Sequence, residues 1–204
     1  PRKIGEKEYG GGEHAEYSGP PQPKATTRCR IVSEHGWADL VGPTVCRTLT
    51  PDEVAVVRGK LGPDPLNADA DPGQFYRAAA KSSRPIGVIL MDQAAISGVG
   101  NIFRAESLYR QKIDPLRPGK TLSDDELRRL WDDNKHLLTI GVRVGRIITT
   151  EQQDRPGIPE TEAWPDHANY VYMRHGQKCP RCSATIHMEE IAGRKLYWCP
   201  GCQK

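Results

Sequence analysis

The chain has 204 residues, 37% hydrophobic and 27% charged, enough for one or two domains with a real core. It holds no apolar run of the roughly 18 residues that a membrane helix needs and opens on no charged-then-apolar leader, so no membrane role is expected. A net charge of +3 permits a polyanionic partner without requiring one.

Residues 1–27 read as a flexible arm, polar and punctuated by Gly10-Gly11-Gly12 and Pro20-Pro21-Gln22-Pro23. Two short strands are predicted next, Arg28-Cys29-Arg30-Ile31-Val32 and Trp37-Ala38-Asp39-Leu40, joined at His35-Gly36. Val45-Cys46-Arg47-Thr48-Leu49 is a candidate third strand, so 28–65 reads as part of a larger β domain. Thr50-Pro51-Asp52-Glu53 starts a short helix over 52–60, and Gly62-Pro63 stops it.

A helical domain is expected over 66–168. Asp71-Pro72 opens a helix to about Ala80, with Phe75 and Ala79 on one face. Pro85 starts another that carries Ile86, Ile89 and Leu90 inward and ends near Gln93. Ser97-Gly98-Val99-Gly100-Asn101 is a glycine-bearing turn, with Asn101 as N-cap of a helix over 102–111 that turns Ile102, Ala105, Leu108 and Tyr109 inward. Such a turn lets backbone approach a ligand closely, and the free amides and dipole of the following helix favour an anion such as phosphate. Without a ligand the same pattern is simply a tight turn and a capped helix. Ser123-Asp124-Asp125-Glu126 is a capping box launching a long amphipathic helix with Leu127, Leu130, Trp131, Leu137, Leu138 and Val142 at helical spacing. Gly141 and Gly145 suit close packing near its end, and Arg143 and Arg146 read as a solvated face. Residues 149–168 form a polar loop, followed by a short strand at Tyr170-Val171-Tyr172-Met173-Arg174.

The final stretch, within a zinc-finger β-hairpin segment expected over 169–204, carries the sharpest chemistry. Cys179 and Cys182 form one C-x-x-C pair, Cys199 and Cys202 another, with 16 residues between. Four thiolates at that spacing close a tetrahedral Zn²⁺ site with no position open to water, so one structural rather than catalytic zinc is expected. Thr185-Ile186-His187-Met188 and Lys195-Leu196-Tyr197-Trp198 supply the hairpin between the knuckles. Cys29 and Cys46 remain as candidate buried free thiols, which fits a reducing, cytoplasmic setting. The fold class is α+β: a partial N-terminal β domain, a helical domain and a four-cysteine zinc β-hairpin.

Three motifs in this order, Gly98-Val99-Gly100-Asn101-Ile102-Phe103-Arg104-Ala105-Glu106, Tyr170-Val171-Tyr172-Met173-Arg174-His175-Gly176 and the paired cysteine knuckles, resemble the formamidopyrimidine-DNA glycosylase / endonuclease VIII family. Residues 84–93 are similar to the first helix of its helix–two-turn–helix. Residues 39–46 and 61–66 look most like its actinobacterial endonuclease VIII-like branch. The resemblance covers about residues 28–204. It implies a monomeric, zinc-containing base-excision repair enzyme of the bacterial cytoplasm and nucleoid, bound to double-stranded DNA that contains oxidised bases or abasic sites. Such enzymes flip out and excise the damaged base, then cut the strand by β- or β,δ-elimination. Their nucleophile is the amine of an N-terminal proline, followed by a glutamate. A helix–two-turn–helix asparagine, matching Asn101, and an arginine at the hairpin tip, matching Arg194, grip phosphate. Gly98, Gly100 and Arg84 complete the implied DNA-binding set, and Glu106 is expected as structural support.

The departures lie at the N-terminus. About 80 residues precede the helix pair where the family has well over a hundred, and the chain opens Pro1-Arg2-Lys3 rather than Pro-Glu. The expectation is that most of the β domain is absent and that no family catalytic residue is present, with Pro1 a weak candidate. The alternatives are thus a glycosylase and lyase, a non-catalytic module that grips damaged DNA, or a zinc-ribbon interaction protein with no DNA role.

Overall fold

The computed structural model describes residues 19–204 and, of the first eighteen, only the strands β1 (Arg2–Ile4) and β2 (Lys7–Tyr9), which pair antiparallel. Pro1 lies outside the described residues, as does much of the arm expected over 1–27. The chain divides into two compact units, Pro1–Glu53 and Val54–Lys204.

In the first unit β3 (Thr27–Ser33) and β4 (Gly36–Val41) form an antiparallel hairpin closed at Ser33 and Gly36. Arg30 crosses it to Asp39, Nε to Oδ1 at 2.6 Å and Nη2 to Oδ2 at 2.8 Å, and that guanidinium holds the carboxyl below its ordinary range. Residues 45–49 do not form the expected third strand. Gly42, at φ 59°, ends the ladder, its amide donating to Thr26 O at 3.0 Å. Cys29 and Cys46 are exposed, not buried as expected: Cys29 sits on a two-stranded ribbon and Cys46 in the irregular segment after it. Helix α1 (Pro51–Arg58) starts at the cap read from sequence: Thr50 Oγ1 accepts from Glu53 N, and Glu53 Oε2 accepts from Thr50 N.

The second unit contains α2 (Gly73–Ala80), α3 (Ile86–Ile89), α4 (Asn101–Arg110), α5 (Asp124–Val144) and the hairpin β5 (His187–Ile191)–β6 (Arg194–Trp198). Its larger core joins Phe75, Ile86, Ile89, Leu90, Leu108, Leu127 and Leu130, all fully buried, with Trp131 beside them. A second cluster packs Ala105 and Tyr109 of α4 against Tyr170, Val171, Ile186 and Leu196. Helix α4 is therefore sandwiched, apolar side chains of one face in each cluster, although Ile102 at its start is only partly buried.

Several expectations need correction. Helix α3 stops at Ile89 instead of Gln93. The Met91 and Asp92 amides already bond three residues back, and Asp92 Oδ1 accepts from Ala94 N at 3.1 Å, which turns the chain. Val142 points outward at 73% exposure, and Gly145, at φ 69°, serves as the left-handed C-cap of α5. Residues 170–174 form turns rather than a strand, because three of their amides are claimed by Glu106 (below). No helix among the described residues is long and apolar enough to cross a membrane.

Candidate nucleic-acid interface

Helix α4 begins at the floor of an open groove of about 600 Å³, and Arg84, Asp92, Gln93, Gly98, Gly100, Asn101, Arg104 and Arg194 all line it. The five residues singled out from sequence as DNA-binding are thus brought together, although more than ninety positions separate the turn from Arg194. Gly98 adopts φ 85°, a conformation that favours glycine. Gln93 holds the turn: its Oε1 accepts from Gly98 N at 3.0 Å and its Nε2 donates to Val99 O at 2.9 Å.

Gly100, not Asn101, is the N-cap of α4, and no side chain caps the helix. The first-turn amides are therefore left to the groove, at the positive end of the helix. A Cβ on Gly100 would meet nothing within 4 Å, so this face of the turn is open.

Asn101 is occupied in a different way from that expected. Its Nδ2 donates to Lys195 O of β6 at 2.9 Å, and its Oδ1 accepts from Arg104 Nη2. Arg104 is 1% exposed, and its Nη1 also donates to Gly87 O at 3.2 Å. One buried guanidinium therefore ties the start of α4 to α3 and β6. Burial, and then the nearby positive charge of Arg194, lower its pKa to about 10. Its Nε has no hydrogen-bond partner among the described residues. Sequence reasoning passed over Arg104, yet its place three residues after Asn101 puts both on one helical face.

Arg194 opens β6 directly after the Ala192-Gly193 turn, where both residues have positive φ (52° and 71°). It is exposed, and its side chain makes no hydrogen bond or ion pair with any described residue. Arg84 differs, since its Nη2 pairs with Asp92 Oδ2 at 2.9 Å. That pair holds the Asp92 carboxyl below its ordinary range. Among the described residues the groove thus presents Arg194 without a side-chain partner, Arg84 paired, Arg104 buried, and a helix N-terminus. Such a set suits an anion with several acceptor oxygens.

The hairpin that carries Arg194 rests on the cysteine knuckles. The Sγ atoms of Cys179, Cys182, Cys199 and Cys202 all lie within 4.8 Å of one another. Cys179 and Cys202 are 3.7 Å apart and Cys182 and Cys199 3.3 Å. A zinc ion with four bonds of about 2.3 Å needs tetrahedral edges of about 3.8 Å, so the cluster fits a structural Zn²⁺.

Glu106 is fully buried on the opposite side of α4. Its carboxylate accepts from Thr149 Oγ1 (2.6 Å) and from the amides of Tyr170 (2.7 Å), Val171 (2.8 Å) and Tyr172 (2.7 Å). Burial pushes its pKa up, and these four donors pull it back. It anchors the approach to the knuckles onto the helix that presents Asn101.

Residues 61–153 match the model of the formamidopyrimidine-DNA glycosylase H2TH domain, and residues 176–204 that of the zinc finger found in FPG and IleRS. Endonuclease 8 1 of Mycobacterium tuberculosis is 42% identical over 184 residues, covering 90% of this chain and 68% of that relative. The chain belongs to the formamidopyrimidine-DNA glycosylase / endonuclease VIII family. The formamidopyrimidine-DNA glycosylase of Thermus thermophilus is 38% identical over 150 residues, 71% of this chain and 54% of that relative. Among solved structures of the family, MutM (Fpg) from Thermus thermophilus superposes with a TM-score of 0.67 at 31% identity, over 89% of this chain and 70% of that one. The Lactococcus lactis Fpg in complex with DNA containing an abasic site gives 0.61 at 28%, over 76% and 57%. The chain thus spans about two thirds of its mycobacterial relative and little more than half of the Lactococcus protein.

Proposed function

We propose that this chain serves base-excision repair, as a zinc-containing DNA glycosylase and abasic-site lyase acting on oxidised bases in the bacterial cytoplasm and nucleoid. The groove at the start of α4 is its grip on the DNA backbone. The first-turn amides of α4, the second Nδ2 proton of Asn101 and Arg194 hold phosphate, Arg84 joins them when it leaves Asp92, and Gly98 and Gly100 let the backbone approach. The single observation that carries this reading is the convergence of Arg194, which has no partner among the described residues, with the uncapped helix start at Asn101 across one groove. The relationship to Endonuclease 8 1 and to Fpg supplies the damaged-DNA substrate class.

Fluorescence anisotropy on a duplex with one abasic site, titrated with salt, tests the grip. Affinity should fall steeply with salt. Arg194→Ala should flatten the log–log slope by about one unit, the share of one phosphate contact, while the protein keeps its zinc. Binding that ignores salt, or an Arg194→Ala protein that sheds the metal, would overturn the assignment. Borohydride trapping on the same duplex tests the lyase. A covalent adduct places Schiff-base chemistry on an amine of this chain, with Pro1 the first residue to substitute. Tight binding with no adduct leaves the chain a damaged-DNA grip without chemistry, the alternative reading.

A further inference from the structure

Tyr109 lies in the last turn of α4 and is fully buried. Its hydroxyl is 3.2 Å from Cys179 Sγ and has no other hydrogen-bond partner among the described residues. A phenol buried in this way needs a partner. When the four cysteines hold zinc, Cys179 is a thiolate and can only accept, so the hydroxyl is the donor.

The donor is held rigidly. The ring of Tyr109 stacks on that of Tyr170 with centroids 4.9 Å apart. The Arg181 guanidinium lies 5.4 Å from the first ring and 4.6 Å from the second. Arg181 is itself fixed by Asp154 Oδ2 at 2.8 Å and Glu151 Oε2 at 3.4 Å. A cation and a hydroxyl donor therefore stand on one side of a cluster that, with four thiolates on Zn²⁺, bears two net negative charges. Donors placed there draw charge off sulfur and orient the ligand, as partners outside the first coordination sphere do in other metal sites.

We propose that Tyr109 is an outer-sphere hydrogen-bond donor to the zinc ligand Cys179, and that through it the metal is tied to α4. The same helix begins with Asn101, so one rigid element links zinc retention to the anion groove at its other end. The spacing of the four cysteines carries no sign of this residue, because the contact spans 70 positions of sequence.

The test is Tyr109→Phe in the full zinc-loaded chain, which keeps the ring and its stacking and removes only the hydroxyl. Transfer of zinc to a metallochromic chelator should run about ten- to hundredfold faster than from the unaltered protein. In the cobalt-substituted chain, the thiolate-to-metal charge-transfer band should move to lower energy as the hydrogen bond is lost. Equal release rates overturn the proposal. So does faster release with an unmoved cobalt band, because the loss then lies in packing and not at sulfur. The unaltered protein loaded with ¹¹³Cd gives a check that needs no variant. A coupling between the Tyr109 hydroxyl proton and the metal is expected, and its absence counts against the assignment.

Discussion

Asp92 shows how one carboxylate can set the availability of a cation. It pairs with Arg84 in the groove while its other oxygen caps the Ala94 amide. Asp92→Asn keeps an acceptor for that amide and frees Arg84. Releasing a half-exposed ion pair is worth under 1 kcal/mol, so DNA affinity at low salt should rise about two- to fivefold. The salt slope should steepen by roughly one phosphate contact. An unchanged slope would remove Arg84 from the phosphate set and leave it a turn-stabilising residue. Glu106 stands at the other extreme of burial, with four donors converging on one carboxylate. Glu106→Gln replaces an accepting oxygen with an amino group that faces amide donors. The expected cost is about 2–4 kcal/mol, read as a lower denaturant midpoint at constant m-value. Part of this level was legible in the sequence: the four cysteines cluster as their spacing implies and Arg194 follows the hairpin turn, whereas Asn101, read as the N-cap, gives that place to Gly100 and bonds Lys195 O and Arg104 instead. Arg104 and Gln93 were not legible, because all of their partners but Asn101 Oδ1 are backbone atoms they reach only after folding.

At the scale of elements, local signals were read well and long-range ones poorly. The Ser123–Glu126 capping box forms as expected, and Glu126 also takes Arg117 as a partner at 2.7 Å. The Arg117 guanidinium holds the Glu126 carboxyl below its ordinary range. A carboxyl depressed in the folded state stabilises above its unfolded pKa, about 4.3, and that contribution is lost as pH falls through the folded value. Glu126→Gln preserves the cap geometry and removes the charge. The variant should be less stable than the parent by about 1 kcal/mol at neutral pH, and the two should converge in acid, once the pH has fallen through the lowered folded-state pKa. Parallel thermal melts against pH would show this, and a gap that persists into acid would assign the loss to packing. The segment at 170–174 departs from the expected strand for a reason of the opposite kind. Its aromatic and β-branched residues suit a strand, but its amides have a stronger acceptor in Glu106, over sixty residues away. Val142 was misplaced because helical periodicity does not say where a helix outruns the core that covers it. Gly145, a packing glycine by sequence, stands at the end of α5 as a left-handed cap.

At the scale of the molecule, the groove lies wholly within the unit from Val54 to Lys204, and its two halves are stabilised by different means. The turn and helix start belong to an apolar core running from Phe75 to Leu138, which needs no metal. Arg194 belongs to a hairpin whose cluster contains Cys179 and Cys199, and short hairpins of this kind are not stable in water alone. Removing zinc should therefore separate the halves. With a strong chelator, far-ultraviolet circular dichroism should keep most of its helical signal, because α5 and its partners stay packed. DNA affinity should fall at least about tenfold, the loss expected for one charged hydrogen-bonded contact, and added zinc should restore it. If the metal-free chain bound DNA as tightly as before, Arg194 would not be a phosphate clamp, and the grip would reside in the helix start and Arg84 alone. If instead the helical signal collapsed with the metal, the second cluster would be the foundation of the whole unit. Arg104, Glu106 and Tyr109, buried side chains of α4 that reach Lys195 O, the 170–172 amides and Cys179, would then be the route by which zinc supports the groove.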